Sequence, residues 1–125
     1  MNAPIPAVTL RNTPDSLLAA LADRFGKQFS QAMAVREQHG RDESAFTHVP
    51  PPAGVVFAES TKDVQDAVRL AAAVHVPVIP FGVGSSLEGH LLAVQGGISV
   101  DVSRMNQVLE INAEDLTVTV QPGVT

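Results

Sequence analysis

The side chains best placed to do chemistry stand together in Phe81-Gly82-Val83-Gly84-Ser85-Ser86-Leu87-Glu88-Gly89-His90. Gly82 and Gly84 can take positive φ and let another group approach the backbone closely. Ser85 and Ser86 add hydroxyl donors beside a run of main-chain N–H groups. Such a loop is a concavity suited to an anion, with phosphate the usual guest. Two familiar phosphate loops can be tested against it. Gly84 to Gly89 has the spacing of G-x-x-x-x-G-K-[ST], but His90 and Leu91 occupy the Lys and Ser/Thr places. A dinucleotide fingerprint needs a third glycine where Leu87 stands, with a long helix opening there. Both readings fail. The plain alternative is a glycine-rich corner that serves packing alone.

The elements that must position this loop follow from the flanking pattern. Val78-Ile79 is a short β-branched strand that breaks at Pro80, and Val55-Val56-Phe57 is a second strand upstream. Between them Ser60 caps a helix, with Asp63 three positions on as a capping-box variant. Val64, Ala67, Val68, Ala71 and Val74 recur at helical spacing, with Lys62, Asp66 and Arg69 facing elsewhere. Each large member contributes ~1.5–3 kcal/mol if fully buried. The helix ends near His75, before Pro77, so strand–helix–strand predicts a parallel pairing.

Residues 1–13 read as an irregular arm. Thr13-Pro14-Asp15 reads as a helix start, with Thr13 as the capping hydroxyl and Gly26 as the stop. Leu17, Leu18, Leu21 and Phe25 keep one face of that helix apolar. A second helical piece is expected from Ser30 to Gly40, then a connector over residues 41–53 that contains Pro50-Pro51-Pro52. After the glycine loop, Leu91 to Val94 is a short apolar piece closed by Gly96-Gly97. Ile98, Val100 and Val102 alternate with Ser99 and Asp101, a strand with one polar face. Val108–Ile111 and Leu116–Val120 read as a hairpin, with Leu116, Val118 and Val120 facing one way.

Composition narrows the function classes. The net charge is −5 and the eight basic residues are scattered, which argues against nucleic acid or an anionic membrane surface as partner. There is no cysteine, hence no disulfide framework, thiol nucleophile or Cys-based metal site. The longest apolar region, Leu70 to Val83, is broken by His75, Pro77 and Pro80, so no transmembrane segment is expected. Met1 to Pro14 lacks the features of a targeting segment, which makes a cytoplasmic location the default. The four histidines and the carboxylates show no metal-like spacing and read as solvated surface.

Three stretches in order carry a resemblance. They are Pro80 through His90, Asp101-Val102-Ser103-Arg104-Met105-Asn106, and Glu114-Asp115-Leu116 with Val118-Thr119-Val120-Gln121-Pro122-Gly123-Val124. Together with Val35-Arg36-Glu37-Gln38-His39-Gly40-Arg41-Asp42-Glu43-Ser44, they resemble FAD-linked oxidases and dehydrogenases of the vanillyl-alcohol oxidase type. The match is to the D-lactate dehydrogenase (cytochrome) and glycolate oxidase branch, over roughly residues 35–125. The resemblance implies an α+β fold: the first half of a PCMH-type FAD-binding domain, a small mixed sheet with packed helices. Residues 1–48 would be an N-terminal helical arm and connector, and residues 49–125 the partial domain.

The resemblance further implies non-covalent FAD, its pyrophosphate against Phe81, Gly82, Val83, Gly84, Ser85, Ser86 and Leu87. His90 would lie toward the flavin ring, as an acid/base, a covalent anchor or a structural hydrogen-bonder. Pro122 and Gly123 would form a second contact near the cofactor. Asp101 and Arg104 would brace the loop or the turn. In relatives a further half-domain and a substrate domain follow, so catalytic residues and any metal ligands are expected beyond Thr125. The whole enzyme would pass hydride from a D-2-hydroxy acid, D-lactate or glycolate, to the flavin. Electrons would go on to cytochrome or quinone, with peripheral contact at the inner membrane allowed. The alternatives are another enzyme of the superfamily, ether-lipid synthase-like or alditol oxidase-like, or a non-catalytic fragment without a cofactor.

Overall fold

The computed structural model describes residues 11–45 and 49–125. The expected arm before Arg11 and residues 46–48 of the connector lie outside these residues. Helix α1 runs Asp15–Phe25 and buries Leu17, Leu21 and Phe25 on one face. Its N-cap is Pro14 rather than Thr13, and no side chain caps it. The N–H of Leu17 bonds the Pro14 carbonyl at 3.0 Å, and proline's fixed φ already presets the first turn. Gly26 ends the helix at φ +54°, as its type predicts.

The second helix is shorter than expected. Phe29–Ser30 forms strand β1, and α2 spans only Met33–Gln38. Strand β1 pairs antiparallel with β2, Gly54–Phe57, which places Phe29 opposite Val56 and packs it on the core. Sheet pairing and that burial outweigh the helical tendency of the segment.

Helix α3, Thr61–Ala73, starts where Ser60 Oγ accepts the N–H of Asp63 at 3.2 Å. The Asp63 carboxylate reaches back to the N–H of Glu59 at 3.0 Å, one residue before the cap, because aspartate is short. Ala67 and Ala71 are buried, whereas Val68 and Val74 are exposed. The core face of α3 is thus narrower than the apolar pattern suggested, and its small residues let α1 approach. Arg24 ties the two helices, bonding Asp63 at 3.1 Å and Asp66 at 2.8 Å. Burial opposes the charge on Asp63, but the Glu59 N–H, Gln28 and Arg24 together hold its carboxyl below the ordinary range.

Strands β3, Val78–Phe81, and β4, Ile98–Asp101, complete a four-stranded sheet of order β1-β2-β4-β3. Strands β2 and β3 do not pair directly as the strand–helix–strand pattern suggested. Both run parallel to β4, which lies between them. Strand β4 is buried on both faces, so Ser99 and Asp101 do not form a solvated polar face. Strand β3 also continues through Pro80 instead of breaking there. The N–H groups of Ile98 and Val102 bond the carbonyls of Pro77 and Phe81, so Pro80 takes the alternate, outward position of an edge strand. No ladder hydrogen bond is lost.

One face of the sheet carries Val56, Ile98 and Val100 into a core with Leu17, Leu21, Phe25, Ala67 and Ala71. Beyond the sheet, β5, Val108–Asn112, and β6, Thr117–Val120, form a separate antiparallel hairpin. Its large apolar side chains are exposed, among them Leu109, Ile111 and Val118. Leu116 belongs to the turn and not to a strand face, with φ +54°.

Candidate functional site

The three parallel strands β2, β4 and β3 end in register at Phe57, Asp101 and Phe81. Side chains alternate along a strand, so these three share the face opposite Val56 and Val100. In open parallel sheets the ligand crevice lies beyond such carboxyl ends.

His39, on the turn after α2, lies against this row and is only 3% exposed. Its Nε2 is 2.7 Å from Asp101 Oδ2 and its Nδ1 is 2.8 Å from the Val35 carbonyl oxygen. The ring centroid stands 4.3 Å from that of Phe81, and it meets Phe57 edge-on at 5.5 Å. Each ring nitrogen thus faces an acceptor, and Nε2 donates to the ionised Asp101 carboxylate. Burial works against that charge. The bond from His39 and those from Ser103, whose N–H donates at 2.7 Å, outweigh it and hold the Asp101 carboxyl below the ordinary range.

The sequence reading placed the histidines on solvated surface, and His39 contradicts it. The available signal was Asp101 itself: a carboxylate ending an apolar strand needs a partner if the strand is central. Nothing in the pattern pointed to a residue 62 positions away.

Above this floor opens a cleft of about 510 Å³. Gln38, His39, Arg41, Gly82, Val83 and Gly84 line it together with Asp42 and Glu43. Gly84 has φ +76°, as expected, but Gly82 is outside the positive-φ region. An added Cβ at Gly82 would meet nothing within 4 Å. Glycine there answers no demand of the described chain and leaves the backbone open to a visitor.

Among the described residues, no acceptor takes the N–H of Gly82, Val83, Gly84, Ser85, Ser86 or Leu87. The loop is fixed by its carbonyls instead. Phe81 accepts from Val102 N–H, and Ser86 from Glu43 N–H, both at 2.9 Å. The Ser86 hydroxyl is engaged with His90 Nδ1 at 2.8 Å, so His90 braces the loop from within. Val83, Ser85, Leu87 and His90 are exposed.

Pro122 and Gly123 do not line the cleft. The Gly123 N–H bonds the Met105 carbonyl at 2.8 Å, and an added Cβ would overlap the Val102 carbonyl oxygen. Packing therefore accounts for its small size. Arg104 pairs with Glu59 at 2.8 Å and lies over the Phe57 ring. Among the described residues, no three His, Cys, Asp or Glu side chains are grouped to hold a metal ion. No helix among them is long and apolar enough to cross a membrane.

The family model described as "FAD binding domain" matches residues 52–125. The chain belongs to this FAD-binding family. The FAD-binding chain is 46% identical over 96 residues to "Probable D-lactate dehydrogenase, mitochondrial" of Danio rerio, covering 77% of this chain and 19% of that protein. It is 31% identical over 115 residues to "D-lactate dehydrogenase [cytochrome], mitochondrial" of Arabidopsis thaliana, covering 91% of this chain and 20% of that protein. Among solved structures it is similar to alkyldihydroxyacetonephosphate synthase, with a TM-score of 0.77 and 26% identity. That match covers 92% of this chain and 26% of the other. The FAD-binding chain thus spans about a fifth of the length of the curated relatives it matches. The loop suits this family's cofactor: main-chain donors without internal acceptors and an open Gly82 meet the needs of a diphosphate.

Proposed function

We propose that this chain is the FAD-binding part of a flavoprotein dehydrogenase that oxidises a D-2-hydroxy acid, D-lactate or glycolate, and passes electrons to cytochrome or quinone. The observation that carries the reading is the set of unaccepted N–H groups from Gly82 to Leu87 at the carboxyl end of the sheet. These amides hold the FAD diphosphate without covalent attachment, and Gly82 lets its oxygens reach the backbone. Phe81 and His39 form the floor, and His90 keeps the loop in shape through Ser86. Pro122 and Gly123 stay in the reading as an outer contact, supported by the resemblance alone. Bound FAD supplies a two-electron acceptor for the substrate, and the chain's own part is to bind and orient it. The protein works in the cytoplasm or at the inner membrane's surface, where its acceptor resides.

The D-lactate reading is preferred over an ether-lipid synthase, because identity is 46% to the Danio rerio protein and 26% to the synthase. The test is to express the complete reading frame, remove flavin and titrate with FAD. Flavin binding and D-lactate- or glycolate-dependent reduction of a dye acceptor are expected. A product that binds no FAD overturns the assignment, and one that binds FAD but oxidises neither acid overturns the substrate class.

A further inference from the structure

We propose that Arg41 is the charged partner of the diphosphate in this cleft, an inference that rests on the flavin reading above and adds a specificity-determining residue to it.

The cleft has an electrostatic problem. A diphosphate entering it meets Asp101 in the floor and Asp42 and Glu43 on the wall. Main-chain amides donate hydrogen bonds but carry no full charge, and the lysine of a P-loop is replaced by His90. Two side chains able to carry a positive charge line the cleft, His39 and Arg41. His39 is consumed by Asp101 at 2.7 Å. Arg41 is not consumed.

The neighbouring arginines are already engaged. Arg36 donates to the Pro52 carbonyl at 2.6 Å, Arg24 pairs with Asp63 and Asp66, and Arg104 pairs with Glu59. Arg41 is exposed, and among the described residues its guanidinium has no hydrogen-bond or ion partner. Its backbone is nonetheless held from both sides. His39 is fastened to Asp101, and Glu43 N–H bonds the Ser86 carbonyl of the glycine loop at 2.9 Å. Asp42 is turned aside to the N–H and hydroxyl of Ser44. The strap from His39 to Glu43 therefore holds Arg41 in the lining of the cleft that Gly82–Gly84 also line. A guanidinium there can grip phosphate oxygens through two parallel N–H bonds while the amides hold the other side.

The experiment uses the flavin-stripped product of the complete reading frame, titrated with FAD and with riboflavin, which has no phosphate, at low and high salt. Arg41→Gln is expected to weaken FAD binding about tenfold or more. It should leave riboflavin binding unchanged and flatten the salt dependence, and Arg41→Lys should recover part of the loss. Unchanged thermal unfolding of the apoprotein confirms that the fold is intact. FAD affinity in Arg41→Gln equal to wild type overturns this inference and leaves the flavin reading standing. Equal losses for FAD and riboflavin also overturn it. Absence of FAD binding in the wild-type protein overturns both.

Discussion

His39 Nε2 donates to Asp101 Oδ2 at 2.7 Å, joining the turn after α2 to the carboxyl end of β4 across 62 residues of sequence. Both groups are buried, so each is the other's main compensation for leaving water. Replacing His39 with Ala leaves the carboxylate buried with Ser103 as its remaining partner. Equilibrium unfolding in urea should show a loss of about 3 kcal/mol. Asp101→Asn, which keeps a hydrogen-bonding group of the same size, should lose about half as much. Equal losses in the two variants would mean that charge carries the whole contact, and no loss in Asp101→Asn that shape does.

Acid should weaken this protein through the same carboxylate. Asp101 titrates below its ordinary value in the folded chain, so its charged form stabilises the fold above the unfolded value of about 4. That contribution disappears as pH falls from about 4 through the lowered native value. Asp63, lowered as well, adds a term of the same sign. The urea midpoint should fall over that range, and more shallowly in Asp101→Asn. An identical slope in the variant would remove Asp101 from the account.

The two loop glycines should respond differently to alanine. Gly84 sits at φ +76° with its Cβ position 3.1 Å from the Phe81 ring, so Gly84→Ala should cost about 1–2 kcal/mol of stability. Gly82 has open space and no positive φ, so Gly82→Ala should leave stability within about 0.5 kcal/mol of wild type or slightly above it. It should still weaken FAD binding. Thermal unfolding and flavin titration on both variants separate the effects, and a Gly82→Ala protein that binds FAD normally would contradict a close approach there.

Among the described residues Leu116 is the most exposed large apolar one, at 92%, and it holds φ +54° in the hairpin turn. Its side chain gains nothing from burial while its backbone bears the left-handed strain. Leu116→Gly or Leu116→Asn should stabilise the protein by about 0.5–1 kcal/mol. A drop in melting temperature for both would show that Leu116 makes contacts elsewhere.

Much of the local structure was legible because local rules govern it. The Ser60 cap, the Gly26 stop, the hairpin and the positive-φ Gly84 follow from single-residue chemistry and short periodicities. The glycine loop and the three signatures pointed to the FAD-binding family, which the match over residues 52–125 bears out. The failures lie where neighbours in space, not in sequence, decide the outcome. Alternation in Ile98-Ser99-Val100-Asp101 suggests a half-wet strand, but insertion between β2 and β3 buries both its faces. The apparent break at Pro80 is no break, because β3 lies at the edge.

Residue types and spacing were therefore enough to reveal a donor-rich loop and its flanking elements, and the resemblance of three stretches pointed to the family. Only folding could bring His39 onto the Phe57–Asp101–Phe81 row, commit Ser86 to His90 and put Arg41 in the same cleft as Gly82–Gly84. The reason is that hydrogen bonding and charge pairing act over a few ångströms. Which partners come that close is settled by strand order and helix packing, and neither is written in any local run of residues.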